Sequence, residues 1–175
     1  MLPHLDSAYG LARWMLRHPH EAEDAVQDAY VRALEHFDTY QGRGEKAWLL
    51  TIVRNVCLMR LRRSRQSANV VMIEDVLGQV EQAVAESSSA KAAADPETAS
   101  IARAERNEVH RALGRLPTSF REVLVLREFE ELTYKEIADV VGVPIGTVMS
   151  RLARARSLMR SLLIEADRGE HKNEV

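Results

Sequence analysis

Two short stretches of this 175-residue chain carry side chains suited to gripping a polyanion. Arg54 to Arg65 holds five arginines and no acid, and Arg151 to Arg160 holds four arginines and no acid. A guanidinium stays charged at physiological pH and meets phosphates or base edges with a planar, two-pronged donor set. Thr147, Ser150, Arg151 and Arg154 stand at i, i+3, i+4 and i+7, which makes them one ridge of a helix. Hydroxyl and guanidinium groups on such a ridge suit the base edges and phosphates of a DNA major groove. In the earlier stretch, Thr51, Arg54, Asn55, Leu58, Arg62 and Arg65 share one side of a second helix. A lone basic run is more often a solvated surface, so the weight rests on finding two, each on a patterned helix.

Other chemistries find little material. One cysteine excludes a disulfide framework and a multi-cysteine zinc site, and suits a reducing cytosol. His18-Pro-His20, with His4 or Cys57 as further ligands, has poor count and spacing for a metal, and no cofactor is expected. Gly42-Arg-Gly44 is too short to cradle a phosphate, and helix geometry assembles no nucleophile, base and orienting acid. The expectation is therefore a protein with no catalytic residues. No apolar run approaches the ~20 residues that span a bilayer, and the first residues lack a basic-then-apolar signal pattern. These features predict a cytoplasmic protein without membrane insertion.

The elements that must position these side chains are helices throughout. In Glu21 to Phe37 the apolar stripe is Ala22, Val26, Ala29, Ala33 and Phe37, with Asp24, Gln27 and Asp28 off it. After a turn at Gln41–Gly44, a helix from about Glu45 to Arg65 buries Trp48, Leu49, Ile52, Val53, Val56 and Met59. Residues 101–168 read as a second helical unit. Ser119-Phe-Arg-Glu122 and Thr133-Tyr-Lys-Glu136 each have the spacing of a reciprocal helix cap. A short helix to Val141, a break at Gly142-Val-Pro144 and a longer helix from Ile145 to about Glu165 form a helix-turn-helix pattern. Val148, Leu152, Ala155, Met159 and Leu162 are its expected buried stripe.

Between the units, residues 67–100 hold one lysine against six acids and are rich in small polar residues, as a flexible acidic linker would be. The net charge of −2 thus sums two basic helical faces and an acidic connector. The expected architecture is all-α: residues 1–66, a linker over 67–100, a second domain over 101–168, and a tail at 169–175.

Asp24-Ala-Val-Gln27-Asp28-Ala-Tyr30 and Ala47-Trp48-Leu49-Leu-Thr-Ile52-Val-Arg54-Asn55 resemble the first domain of extracytoplasmic-function (ECF) RNA polymerase sigma factors. Leu116-Pro117, Arg121–Arg127, Leu132–Ala138, Gly142–Val148 and Ser150–Arg156 resemble their last domain. The resemblance implies a first domain that binds the clamp helices of core polymerase through Asp24, Gln27 and Asp28. It implies that this domain melts the minus-ten element, with Asn55 near a flipped base and Arg54, Arg62 and Arg65 on the strand. It implies a last domain that reads the minus-thirty-five element through Thr147, Ser150, Arg151 and Arg154 and touches the polymerase flap. Control by an anti-sigma factor is the family's usual regulation. Two departures stand out: Met149 sits where many relatives are basic, and the residues before Trp48 lack a common aromatic–arginine pair. The alternative reading is a stand-alone helix-turn-helix regulator that binds duplex DNA without polymerase.

Overall fold

A computed structural model describes residues 2–40, 42, 44–68 and 107–170, and among them every regular element is helical. Helix α1 spans Leu5–Leu16, α2 Pro19–Glu35 and α3 Glu45–Ala68. Helix α4 is described from 107 to 115, followed by α5 (Thr118–Glu128), α6 (Tyr134–Val141) and α7 (Ile145–Glu170). The linker expected over 67–100 lies outside the described residues from 69 onward, while Ser67 and Ala68 still belong to α3. At the far end, α7 runs past the expected stop at Glu165, and residues 169 and 170 are helix rather than tail.

The first three helices pack on one another through small side chains. Ala22, Ala25, Val26, Ala29 and Ala33 are buried along α2, where short side chains let α1 and α3 come close. Pro19 suits the start of α2, because its missing N–H would have no intrahelical acceptor there. Phe37 does not continue the stripe of α2 as its spacing predicts. The helix stops at Glu35, and Phe37 falls in a short 3-10 turn, half-exposed beside Tyr40 and Trp48. Along α3, Leu49, Leu50, Val53, Val56 and Cys57 are buried, while Trp48 and Ile52 are only partly covered. This face is wider than the expected stripe because α1 and α2 cover one side of α3 and α6 packs on another.

In the second unit α5 is buried all round, with Arg121, Glu122, Val123, Leu124, Val125 and Leu126 all inaccessible. It lies between α1 of the first unit and α7 of the second. The expected cap at Ser119 and Glu122 is not formed: α5 already begins at Thr118 after Pro117, and Glu122 faces Arg54 instead. The cap on α6 is formed. The Glu136 amide donates to Thr133 Oγ1 (3.3 Å), and Glu136 Oε2 accepts from the Thr133 amide (2.8 Å). The Thr133 hydroxyl also donates to Glu136 Oε2 (2.7 Å), and that bond, then the one from the Thr133 amide, holds the Glu136 carboxyl below its ordinary range. Gly142 ends α6 in a left-handed conformation (φ 71°), which a residue with a Cβ resists. Val148, Leu152, Ala155 and Leu162 then bury the inner face of α7, with Met159 partly covered, as their spacing predicts. Buried side chains of both units join in one cluster.

Candidate nucleic-acid interface

The turn after α6 fixes the direction in which α7 leaves the second unit. Ala138 and Val148 are buried where α6 and α7 meet, which sets the opposite side of α7 toward solvent. On that side Ser150 and Arg154 are exposed, and Thr147 is partly covered. Ser150 Oγ donates to the Thr147 carbonyl (3.0 Å), an interaction a groove could exchange for its own acceptors. Arg154 makes no ion pair among the described residues. Met149 is exposed beside them, an apolar contact in the place of a charge.

Arg151, on the same ridge, behaves differently. It is 27% exposed, and its Nη1 lies 3.6 Å from Glu122 Oε1. The same carboxylate accepts a fork of hydrogen bonds from Arg54: Nε to Oε2 at 2.8 Å and Nη2 to Oε1 at 3.2 Å. Arg54 is 14% exposed and Glu122 3%. A carboxylate so deeply buried requires cationic partners, and it takes one from each of the two basic helices. On α3, Asn55 and Arg62 remain exposed, while the side chain of Arg65 lies outside the described residues. The structure therefore leaves Asn55 and Arg62 on an open face and places Arg54 at the junction of the units.

Sequence reasoning passed over Glu122 as a helix cap. A signal was available: Val123 to Leu126 is a continuous apolar run, the mark of a helix buried on all sides, where any charge must find a partner. Its neighbour Arg121 follows the same rule. It donates to the carbonyls of Leu113 (2.9 Å), Gly114 (3.0 Å) and Leu116 (2.7 Å) around the end of α4, and to Trp14 (3.0 Å) in α1. Burial, helped by Arg17, pulls the Arg121 pKa down to about 10, and it remains charged at neutral pH.

Two further contacts join the units. Lys46 Nζ meets Glu130 Oε2 (2.9 Å) and donates to the Glu130 carbonyl (2.8 Å). Trp14 stacks on His110 (4.5 Å between centroids, 25° between planes) and leans on Phe129. Burial, then the nearby Arg13, lower the pKa of His110.

Asp24, Gln27 and Asp28 lie exposed on one face of α2, and Arg60 from α3 bridges to both acids. Arg60 thus answers a local acidic pair rather than extending the open basic face. Cys57 is buried, and burial pushes its thiol up to about 12. Among the described residues no three histidine, cysteine or acidic side chains are placed to hold a metal, and no helix is long and apolar enough to cross a membrane. On the second unit, Leu113, Leu124, Phe129, Met159, Leu163 and Ile164 line an apolar groove edged by the Arg156–Glu128 pair.

Comparison with known proteins agrees with this geometry. Residues 2–67 match the family described as sigma-70 region 2, and residues 106–159 match sigma-70, region 4. The ECF RNA polymerase sigma factor SigW of Bacillus subtilis is 32% identical over 163 residues, which span 90% of this chain and 83% of that protein. The sigma factor RpoE of Bartonella quintana, solved in complex with the anti-sigma factor NepR, superposes with a TM-score of 0.70 at 28% identity, covering 93% of this chain and 92% of that one. CnrH, solved in complex with the cytosolic domain of CnrY, gives 0.64 at 26% identity, covering 94% and 84%.

Proposed function

The chain belongs to the ECF RNA polymerase sigma factors, and from that premise we propose which of its side chains meet polymerase and promoter. It binds bacterial core RNA polymerase and directs it to promoters with recognisable minus-ten and minus-thirty-five elements. The α2 face with Asp24, Gln27 and Asp28 meets the clamp helices of the core, and the second domain also touches the flap. Asn55 receives a base flipped from the minus-ten element, since an amide both donates and accepts toward a base edge. Unstacking that base costs a few kcal/mol, which phosphate contacts from Arg54, Arg62 and Arg65 offset. At the upstream element α7 enters the major groove, with Thr147, Ser150, Arg151 and Arg154 on its reading ridge. Residues 1–66 and 101–168 are the two working domains, and 67–100 connects them.

As a transcription initiation factor the chain supplies binding energy and leaves the chemistry to polymerase, working where polymerase works, in the cytoplasm. The RpoE relative is solved with an anti-sigma factor bound, and the same mode of control extends to this chain. The observation that carries this reading is the pairing, in one chain, of a capped helix-turn-helix bearing an open Arg154 with a separate helical unit bearing an open Asn55. A stand-alone regulator would need the first and have no use for the second.

The test is transcription of bacterial genomic DNA by core polymerase with and without the chain, mapping transcript 5′ ends. New start sites sharing two upstream motifs are expected. Unchanged start sites, together with tight sequence-specific duplex binding by the chain alone, would favour the stand-alone regulator.

A further inference from the structure

We propose that the chain latches itself shut without a partner, with Glu122 acting as an internal stand-in for DNA phosphate. This rests on the reading that Arg54 and Arg151 contact promoter DNA. Each of those arginines comes from a different basic helix, and both are drawn to the same carboxylate, at 2.8 Å and 3.6 Å. A guanidinium engaged by Glu122 presents fewer donors to phosphate, so the two anions compete for the same groups.

Geometry makes the competition all-or-none. Two guanidiniums on one carboxylate lie within about 8 Å of each other. The minus-ten and minus-thirty-five elements lie about 25 base pairs apart, on the order of 85 Å along B-form DNA at 3.4 Å per pair. The closed chain therefore cannot touch both elements, and promoter binding requires the two domains to part. Residues 69–106 can reach at most about 125 Å when extended, enough to allow the separation with the chain intact.

Closure has its own surface beyond Glu122. Lys46 with Glu130, Arg121 with the Trp14 carbonyl, and Trp14 between His110 and Phe129 all cross the junction. None of these groups is assigned to DNA. These polar, charged and aromatic contacts lie beside apolar side chains of both units that join in one cluster. When the domains part, the buried Glu122 loses Arg54, its closer partner, and keeps only Arg151 of its own unit, and this draws the free chain closed again.

The experiment measures the distance between spin labels on the full chain at Glu35→Cys and Ser157→Cys, both exposed positions outside the assigned contacts. The free chain should give one short, narrow distribution, and the chain in a transcribing complex with core polymerase a longer one. Glu122→Gln should lengthen and broaden the free-chain distribution. It should also tighten binding to a random-sequence duplex of about 30 base pairs by about fivefold or more, through the released arginines. Lys46→Glu, which sets two carboxylates together without altering Arg54 or Arg151, should open the chain in the same way. A distance that stays short in the transcribing complex, or that is unchanged in both variants, would overturn the latch. So would an opened chain that binds the duplex no better. A wild-type chain that starts no transcription overturns the promoter reading instead, and a short distance that lengthens in the variants shows closure independently of it.

Discussion

Helices α3 and α7 both carry an arginine-bearing ridge, and their neighbours treat the two ridges differently. The ridge of α3 is covered at its centre, where Arg54 meets Glu122 of α5, 68 positions away in the chain. The ridge of α7 is partly covered at Thr147 and Arg151, and Ser150 and Arg154 stand open. One helix is organised by contacts near in sequence, the other by a helix that arrives from the far domain. A basic ridge can thus be set by local rules and still be covered by a distant helix.

The largest expected effect comes from breaking the element between the two ridges. Arg121→Ala removes the guanidinium donors to four carbonyls at the junction and leaves that of Leu113 with the Leu116 amide alone. It should destabilise the chain by about 3–5 kcal/mol, read as a lower urea midpoint. Next come the ridges themselves. Asn55→Ala should slow open-complex formation by about 1–3 kcal/mol, roughly five- to 150-fold, with polymerase binding retained. Arg154→Ala should weaken preference for the upstream element by about 1–3 kcal/mol with melting of the downstream element retained. Footprinting and fluorescent-base melting assays on the same promoter separate the two. An Asn55→Ala chain that opens promoters normally would end the division of labour between the helices.

A smaller change sharpens the local side of the comparison. Thr133→Ala should cost about 1 kcal/mol by removing the cap on α6, and thermal melting should show it. The smallest effect concerns His110, whose pKa is lowered in the folded chain. The unfolded chain then takes up a proton first, so stability is retained above the ordinary histidine pKa of about 6.5 and declines as pH falls below it. Melting temperatures compared at about pH 7.5 and about pH 5.5 should show the decline, and His110→Gln should reduce it.

What could be seen from residue types follows the same division. The cap and glycine turn around α6 and the buried stripe of α7 depend on neighbours within a few residues, and the structure reproduces them. The role of Glu122 could not be read that way. Ser119 and Glu122 have cap spacing, but the helix takes Pro117 as its N-cap, two positions early, and a partner from α3 takes the carboxylate. Phe37 likewise matches the period of α2, yet the chain leaves helical geometry at His36 before reaching it. The exposed face of α2 was legible as a polar stripe, but its charge balance depends on Arg60 from α3. Spacing reports which face a side chain occupies, and only the assembled neighbours report what it meets there.

Cys57 gives the chain a clock of its own. Its sulfur is wholly buried in α3, and with a pKa near 12 the thiol carries almost no thiolate at neutral pH. An alkylating reagent can therefore reach it only in those moments when the first bundle loosens, and the rate of mass gain counts those moments. Reagents that react at once with cysteines placed on the surface leave this one to tick slowly. Recorded before and after promoter opening, that interval would tell whether prising apart two DNA strands strains the helix proposed to do it.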